Sequence, residues 1–264
     1  ASLQNQVGFI KRLTSGLGSQ KRRVADVIYK GVIRPRGEYA NVVWWHGTPA
    51  PLREELEVVQ REIARFIVGT KTRISNTALY AEAGMRSLKA RQEEQALRMF
   101  HKIARLPETH RLRRQKAWSS KMDTRFYQHA RLAFARLQSL DVRRLFGTPT
   151  DLKLPLRRHL MEREDSKLAE DQNRSAQLLC AVKPTTRAWS HLTVGDRWTG
   201  TQLARLRLGC SRLAADQHYR GLADAATCPH CAAGAAETRD HYLLTCPHWN
   251  TERAQLWHDM ARLD

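Results

Sequence analysis

The chain has 264 residues, with 45 Lys+Arg against 26 Asp+Glu and a formal net charge of +19. That length allows one large or two small domains with a sizeable core, and no apolar run reaches the roughly 18 residues a membrane helix needs. Cations in this excess call for a polyanionic partner: nucleic acid first, because each neutralised phosphate releases a condensed counterion, and anionic membrane second, although no basic amphipathic helix stands alone to serve it.

Helical periodicity runs through most of the sequence. Around residues 19–33, Val24, Val27, Ile28 and Val32 recur at helical spacing, and Pro35 closes the run. A short strand is expected at Val42–Trp45, where Trp44, Trp45 and His46 offer either core anchors or a protein-binding surface. From Pro51, a favoured first-turn residue, Leu52, Leu56, Val59, Ile63, Phe66 and Ile67 form an apolar stripe that Gly69 ends as a C-cap. Ser75 or Asn76 caps a short helix that Gly84 ends, and Ser87 opens a longer one that Pro107 stops. Residues 1–106 therefore predict a helical domain.

Composition shifts after Pro107. Residues 101–150 hold 12 Lys+Arg and 3 Asp+Glu, nearly half of the net charge. The densest part is Arg111, Arg113, Arg114, Lys116 and Lys121, followed by Arg125, Arg143 and Arg144, with Trp118, Phe126 and Tyr127 interleaved. Cations beside aromatics suit phosphates and unpaired bases, and these eight basic residues are the candidate nucleic-acid contacts; Phe126 and Phe134 read rather as core anchors of a helix over 123–139. Residues 147–185 read as a linker around a polar helix, within a basic helical region spanning 107–198.

The third unit, 199–264, opens with an amphipathic helix over 199–216 and then carries the most specific pattern in the chain. Cys228-Pro-His-Cys231 is followed after nine residues by His241 and after four more by Cys246. Three thiols and an imidazole at this spacing suit a structural zinc ion: the first pair folds into a knuckle, and His241 and Cys246 share one helical face. His230 would point away from an ion held by its flanking cysteines, and His248 lies awkwardly close to Cys246. Asn250 or Thr251 caps a last helix, with Trp249 and Trp257 expected beside the metal. Cys180 and Cys210 sit among apolar neighbours and read as buried thiols, so the cysteines together imply an intracellular reducing compartment, whether cytoplasm, nucleus or mitochondrion. The N-terminus has no signal-peptide core and no initiator Met, which suggests processing or truncation of a longer precursor. His101, His110, His129 and His159 are scattered, with no paired carboxylate or nucleophile, and no catalytic residue is assigned.

Two ordered sets of residues carry a family resemblance. Leu206-Arg-Leu-Gly209-Cys-Ser-Arg-Leu213, the Cys228–Cys231 knuckle, and Glu237-Thr238-Arg-Asp-His241-Tyr-Leu-Leu244-Thr-Cys246-Pro247 with Arg253 and Leu256 resemble the C-terminal zinc knuckle of non-LTR (LINE-like) retrotransposon polyproteins. Upstream, Tyr29-Lys-Gly-Val-Ile-Arg-Pro35, Leu56-Glu-Val-Val-Gln60-Arg61 with Arg65 and Gly69-Thr70, and Leu79 with Glu82-Ala-Gly84 and Leu88 look like the helical thumb that follows a reverse-transcriptase palm. The resemblance implies a mainly α chain with a thumb-like domain, a basic helical linker and a zinc module that grips nucleic acid. Polymerase chemistry needs clustered aspartates for its metals, and the chain has no Asp-Asp pair and no palm ahead of the thumb-like part. The expectation is thus a non-catalytic, zinc-containing, RNA-binding protein of retroelement origin in a ribonucleoprotein such as a ribosome, with other proteins as neighbours. Its alternatives are the nucleic-acid-gripping part of an active reverse transcriptase and a zinc-dependent protein-interaction scaffold.

Overall fold

The computed structural model describes residues 3–45, 47–122, 124–125, 127–128, 153–187 and 196–262, which are mainly α-helical with no strand among them. No helix of the described residues is long and apolar enough to cross a membrane. Helix α1 (Leu3–Leu13) is followed by α2 (Lys21–Ile28), a π turn at Tyr29–Ile33, α3 (Arg34–Glu38) and α4 (Asn41–Trp44). Then come α5 (Ala50–Val68), α6 (Asn76–Ala83), α7 (Leu88–Ala104) and α8 (Arg111–Lys121). The later helices are α9 (Lys153–Glu170), α10 (Arg174–Cys180), α11 (Arg197–Arg207), α12 (Ala214–Tyr219) and α13 (Asn250–Ala261).

The local signals act as their chemistry dictates. Ser75 accepts hydrogen bonds from the Thr77 and Ala78 amides at the start of α6, Ser87 caps α7 through the Ala90 amide, and Gly69 ends α5 in the left-handed region at φ 80°. Helix α6 is buried continuously from Ala78 to Ala83, Glu82 included, so it lies within the core and not along its edge. Around it the core gathers Val7 and Ile10 of α1, Ala25, Tyr29 and Ile33, Ile63, Ile67 and Val68 of α5, Leu168 of α9, Ala176 and Leu179 of α10, and Ala204, Leu208 and Cys210. The stretch expected as a linker therefore supplies buried core residues, and one cluster draws on all three of the expected units. A second layer is tied by ion pairs: Arg91 to Glu38 at 2.6 Å, Arg86 to Glu94 at 2.6 Å, and Arg163 to Glu93 at 2.6 Å.

Four expectations change. Val42–Trp45 is not a strand: Ala40 turns the chain at φ 51° into α4, burying Asn41 and Trp45 while Val43 faces outward. The run over 19–33 does not stop at Pro35, because the wider π turn, with Arg34 N–H donating to the Tyr29 carbonyl, precedes the proline and absorbs the amide it lacks. The helix over 199–216 breaks at Gly209, whose φ of 63° strains any other residue and whose added Cβ would press on the Leu178 side chain. Neither Asn250 nor Thr251 caps α13; a 3₁₀ turn at Pro247–Trp249 leads into it. The helix expected over 123–139 lies almost wholly outside the described residues.

Within α6, Glu82 is fully buried and faces Arg207 at 3.5 Å and Lys183 at 4.0 Å. Burial, with a contribution from Arg207 and against the pull of Glu82, lowers the Lys183 ammonium from 10.5 to about 8. Between those two values the unfolded chain holds a proton that the folded chain has lost, so this group makes stability rise with pH there; below about 8 both states are protonated and the burial cost is fully present. The unfolding free energy of the wild type relative to a Lys183→Met variant should be flat from pH 6 to 8 and climb from pH 8 to 10.5, as read by urea denaturation. A falling difference in the upper window would refute the assignment.

Candidate metal centre and basic surfaces

The C-terminal module is built around a short antiparallel contact. Thr227 and Ala236 form an isolated bridge, flanked by Cys228 N–H donating to the Ala235 carbonyl and Glu237 N–H to the Ala226 carbonyl, both at 2.8 Å. The turn between them, with Gly234 at φ 60°, carries Cys228 and Cys231. The π turn His241–Thr245 supplies the other two residues, closed by Cys246 N–H donating to the His241 carbonyl at 2.7 Å. The ligand atoms of Cys228, Cys231, His241 and Cys246 all lie within 4.8 Å of one another.

The spacing fits one ion. Cys228 Sγ and Cys246 Sγ are 3.9 Å apart, and Cys231 Sγ is 3.4 Å from His241 Nε2. An ion bonded at about 2.3 Å to sulfur and about 2.0 Å to nitrogen has tetrahedral edges of about 3.5–3.8 Å. These four residues are therefore placed to hold a metal ion, and together they offer the four ligand atoms that a tetrahedral site takes. His230 is outside the set: it stacks on His248 (5.1 Å between ring centres) and meets Glu237 Oε1 at 3.6 Å. Burial raises the Cys228 thiol, whereas the Ala233 amide holds Cys231 below the usual thiol range.

The surroundings orient the cluster and fasten it to the helical body. His241 Nδ1 lies 3.3 Å from Thr245 Oγ1, the partner that would fix the tautomer presenting Nε2 to the metal. Arg253 of α13 donates to the Leu243 carbonyl at 3.0 Å and the Cys246 carbonyl at 2.8 Å, clamping the π turn. Buried Glu237 accepts from the Ala214 amide at 2.6 Å, and Arg239 donates to the Leu178 carbonyl at 3.0 Å. Trp249 packs at the module against Tyr242 (5.4 Å) and His248 (4.6 Å), but Trp257 leaves half its surface open on α13.

The predicted nucleic-acid contacts are only partly brought together. Arg111, Arg114 and Lys121 are exposed and share one face of α8 by helical spacing, and Arg125 is exposed beyond it. Arg113 is tied back, donating to the Leu106 carbonyl at 2.7 Å and pairing with Glu108 at 3.2 Å. Lys116 lies on α8, and Arg143 and Arg144 fall outside the described residues. The sequence reading missed a larger basic feature. A cleft of about 940 Å³ between the α1–α2 and α5 helices, α11 and the 210–222 segment is lined by Lys21, Arg65, Lys71, Arg197, Arg205 and Arg212, among other cations, with Glu62 its one carboxylate. Linear charge density could not reveal it, since its cations come from three distant stretches, although Arg65 and Gly69-Thr70 were already notable as motif residues. No protein-family model, curated protein or solved structure matches the chain.

Removing the Thr245 hydroxyl tests the orientation of His241. A Thr245→Val variant should keep one bound metal but hold it about tenfold more weakly, while Cys246→Ser should lose it, as measured by competition with a chromophoric chelator. Unchanged affinity in Thr245→Val would mean that this hydroxyl does not set the imidazole.

Proposed function

We propose that the protein is a non-catalytic nucleic-acid-binding protein whose C-terminal module is held by structural zinc and whose partner is structured RNA, in a ribonucleoprotein such as a ribosome. The observation that carries this reading is the closed Cys₃His shell fastened to a body with a net charge of +19. Three thiolates and one imidazole in tetrahedral array favour zinc, and a filled shell supplies fold rather than Lewis-acid chemistry. The ordered thumb-like and knuckle motifs support descent from a LINE-like retroelement, with the binding parts kept. Five free thiols suit a reducing compartment.

A second reading, a zinc-dependent protein-binding surface, draws on one observation: Leu243, Leu244, Leu256, Trp257 and Met260 of the C-terminal module are all exposed. The two readings separate by salt and nuclease. Fluorescence anisotropy with a structured RNA should give binding that weakens about 10³-fold or more between about 50 and 200 mM salt, and chelation should unfold the C-terminal module. Lack of RNA binding at 50 mM salt, together with nuclease-resistant capture of a protein partner, would reject the first reading in favour of the second.

A further inference from the structure

We infer that the cleft between α5, α11 and the 210–222 segment binds the phosphate backbone of a single strand of nucleic acid, at a site separate from the basic helix α8. The inference rests on the nucleic-acid reading above and names where the strand runs.

The cleft is charged with almost no internal compensation. Among the described residues, Lys11 is the one cleft cation that meets a carboxylate, Glu62 at 3.9 Å, and both side chains stay more than two-fifths exposed. The remaining cations are held up and spread apart rather than paired with acids. Lys21 and Arg197 lie over the Phe66 ring at 5.3 and 5.7 Å, and Arg205 donates to the Gly69 carbonyl at 3.0 Å. Beneath the floor lies Arg22, 2 % exposed, donating to the Arg197 carbonyl at 3.1 Å and to Thr201 Oγ1, with its Nε bonded to nothing. A guanidinium buried beside other cations is costly to hold. Burial and the nearby Arg197 and Arg205 depress it to about 10 against the opposing pull of Asp196, so at neutral pH it remains charged and adds to the field of the cleft. An anion lying across Arg65, Arg197 and Arg212 relieves that like-charge repulsion, and guanidinium forks match phosphate oxygens.

The lining also indicates which polyanion. A docked peptide needs apolar pockets for its side chains, but the apolar side chains here include only Phe66, already overlaid by two cations, and Leu222. A surface of cations without base-reading pockets instead contacts a backbone, independent of sequence. The volume of about 940 Å³ falls within the range of about 300–1,000 Å³ typical of small-ligand sites, room for a short run of one strand's backbone.

The test uses the full-length, metal-loaded protein with mixed-sequence single-stranded RNA followed by anisotropy across a salt series. The triple variant Arg65→Gln/Lys71→Gln/Arg212→Gln should lower the slope of log K against log salt by about 2, at roughly 0.7 per lost phosphate contact, and weaken binding about tenfold or more on every sequence. Glu62→Gln, which removes the one opposing charge and no buried contact, should strengthen binding about threefold. The second variant stands even if the triple variant folds poorly. An unchanged slope in the triple variant, with loss instead in Arg111→Gln/Arg114→Gln/Lys121→Gln, overturns the cleft and leaves the nucleic-acid reading intact. Equal cleft-dependent binding of a duplex, or displacement of RNA by polyglutamate at matched charge, also overturns it. A wild type that binds no RNA at low salt defeats the broader reading itself.

Discussion

Glu82 is the residue on which the arrangement turns. Its carboxylate has no solvent exposure and sits in the last turn of α6, among the buried residues Ala78–Ala83. Such a charge is tolerable only if opposite charges are brought to it. Arg207 arrives from α11 and Lys183 from the segment after α10, where its ammonium also donates to the Ala81 carbonyl. The triad thereby ties the C-terminal end of α11 to α6, beside the apolar packing of Ala204 and Leu208. The position of α11 then decides everything C-terminal to it, because that helix carries Arg197 and Arg205 on one side and leads through Gly209 into the metal module.

The same logic explains how a strongly basic chain folds at all. Its carboxylates are used inward: Glu38 with Arg91, Glu93 with Arg163, Glu94 with Arg86, and Asp216 with Arg174. Asp216 also accepts from the Ser211 amide and hydroxyl, at 3.1 and 2.6 Å, so one acid joins α10, α12 and the turn between α11 and α12. With so many acids engaged in holding helices together, the excess cations collect where acids are absent, on the exposed face of α8 and around the cleft. The field outside follows from how pairing is distributed inside.

Much of the helical frame was legible because it rests on local chemistry. Ser75, Ser87, Gly69 and Gly84 act through backbone groups within a few residues, so sequence spacing is enough to place them. The ligand set was legible for the same reason, each pair being close in the chain. What escaped depends on tertiary placement. The apolar residues of α9 are sparse among charges, and nothing local reveals that Leu160 and Leu168 are fully buried. Val42–Trp45 carries strand-favouring residues, but the left-handed turn at Ala40 and the burial of Asn41 against Gln95 at 2.5 Å override that preference. The cleft cations are far apart in the chain and become neighbours only once α11 is docked.

Metal centre and cleft are joined through one short stretch of chain. Arg212 lies between Cys210, which ends the core, and α12, whose first amide at Ala214 is held by Glu237 of the metal module. Arg220, at the other end of α12, donates to the Asp216 and Ser211 carbonyls at 3.0 and 2.7 Å and also faces the cleft. One wall of the cleft is thus braced from behind by the module that the four ligands organise. Were the four residues to hold an ion, they would constrain the segment that carries Glu237 and, through it, the 211–220 wall. Free energy linkage makes such a dependence mutual: whatever the metal contributes to the wall, an anion seated against that wall returns to the metal site. In physical terms, an ion held by these four residues would support the proposed binding surface some distance from it.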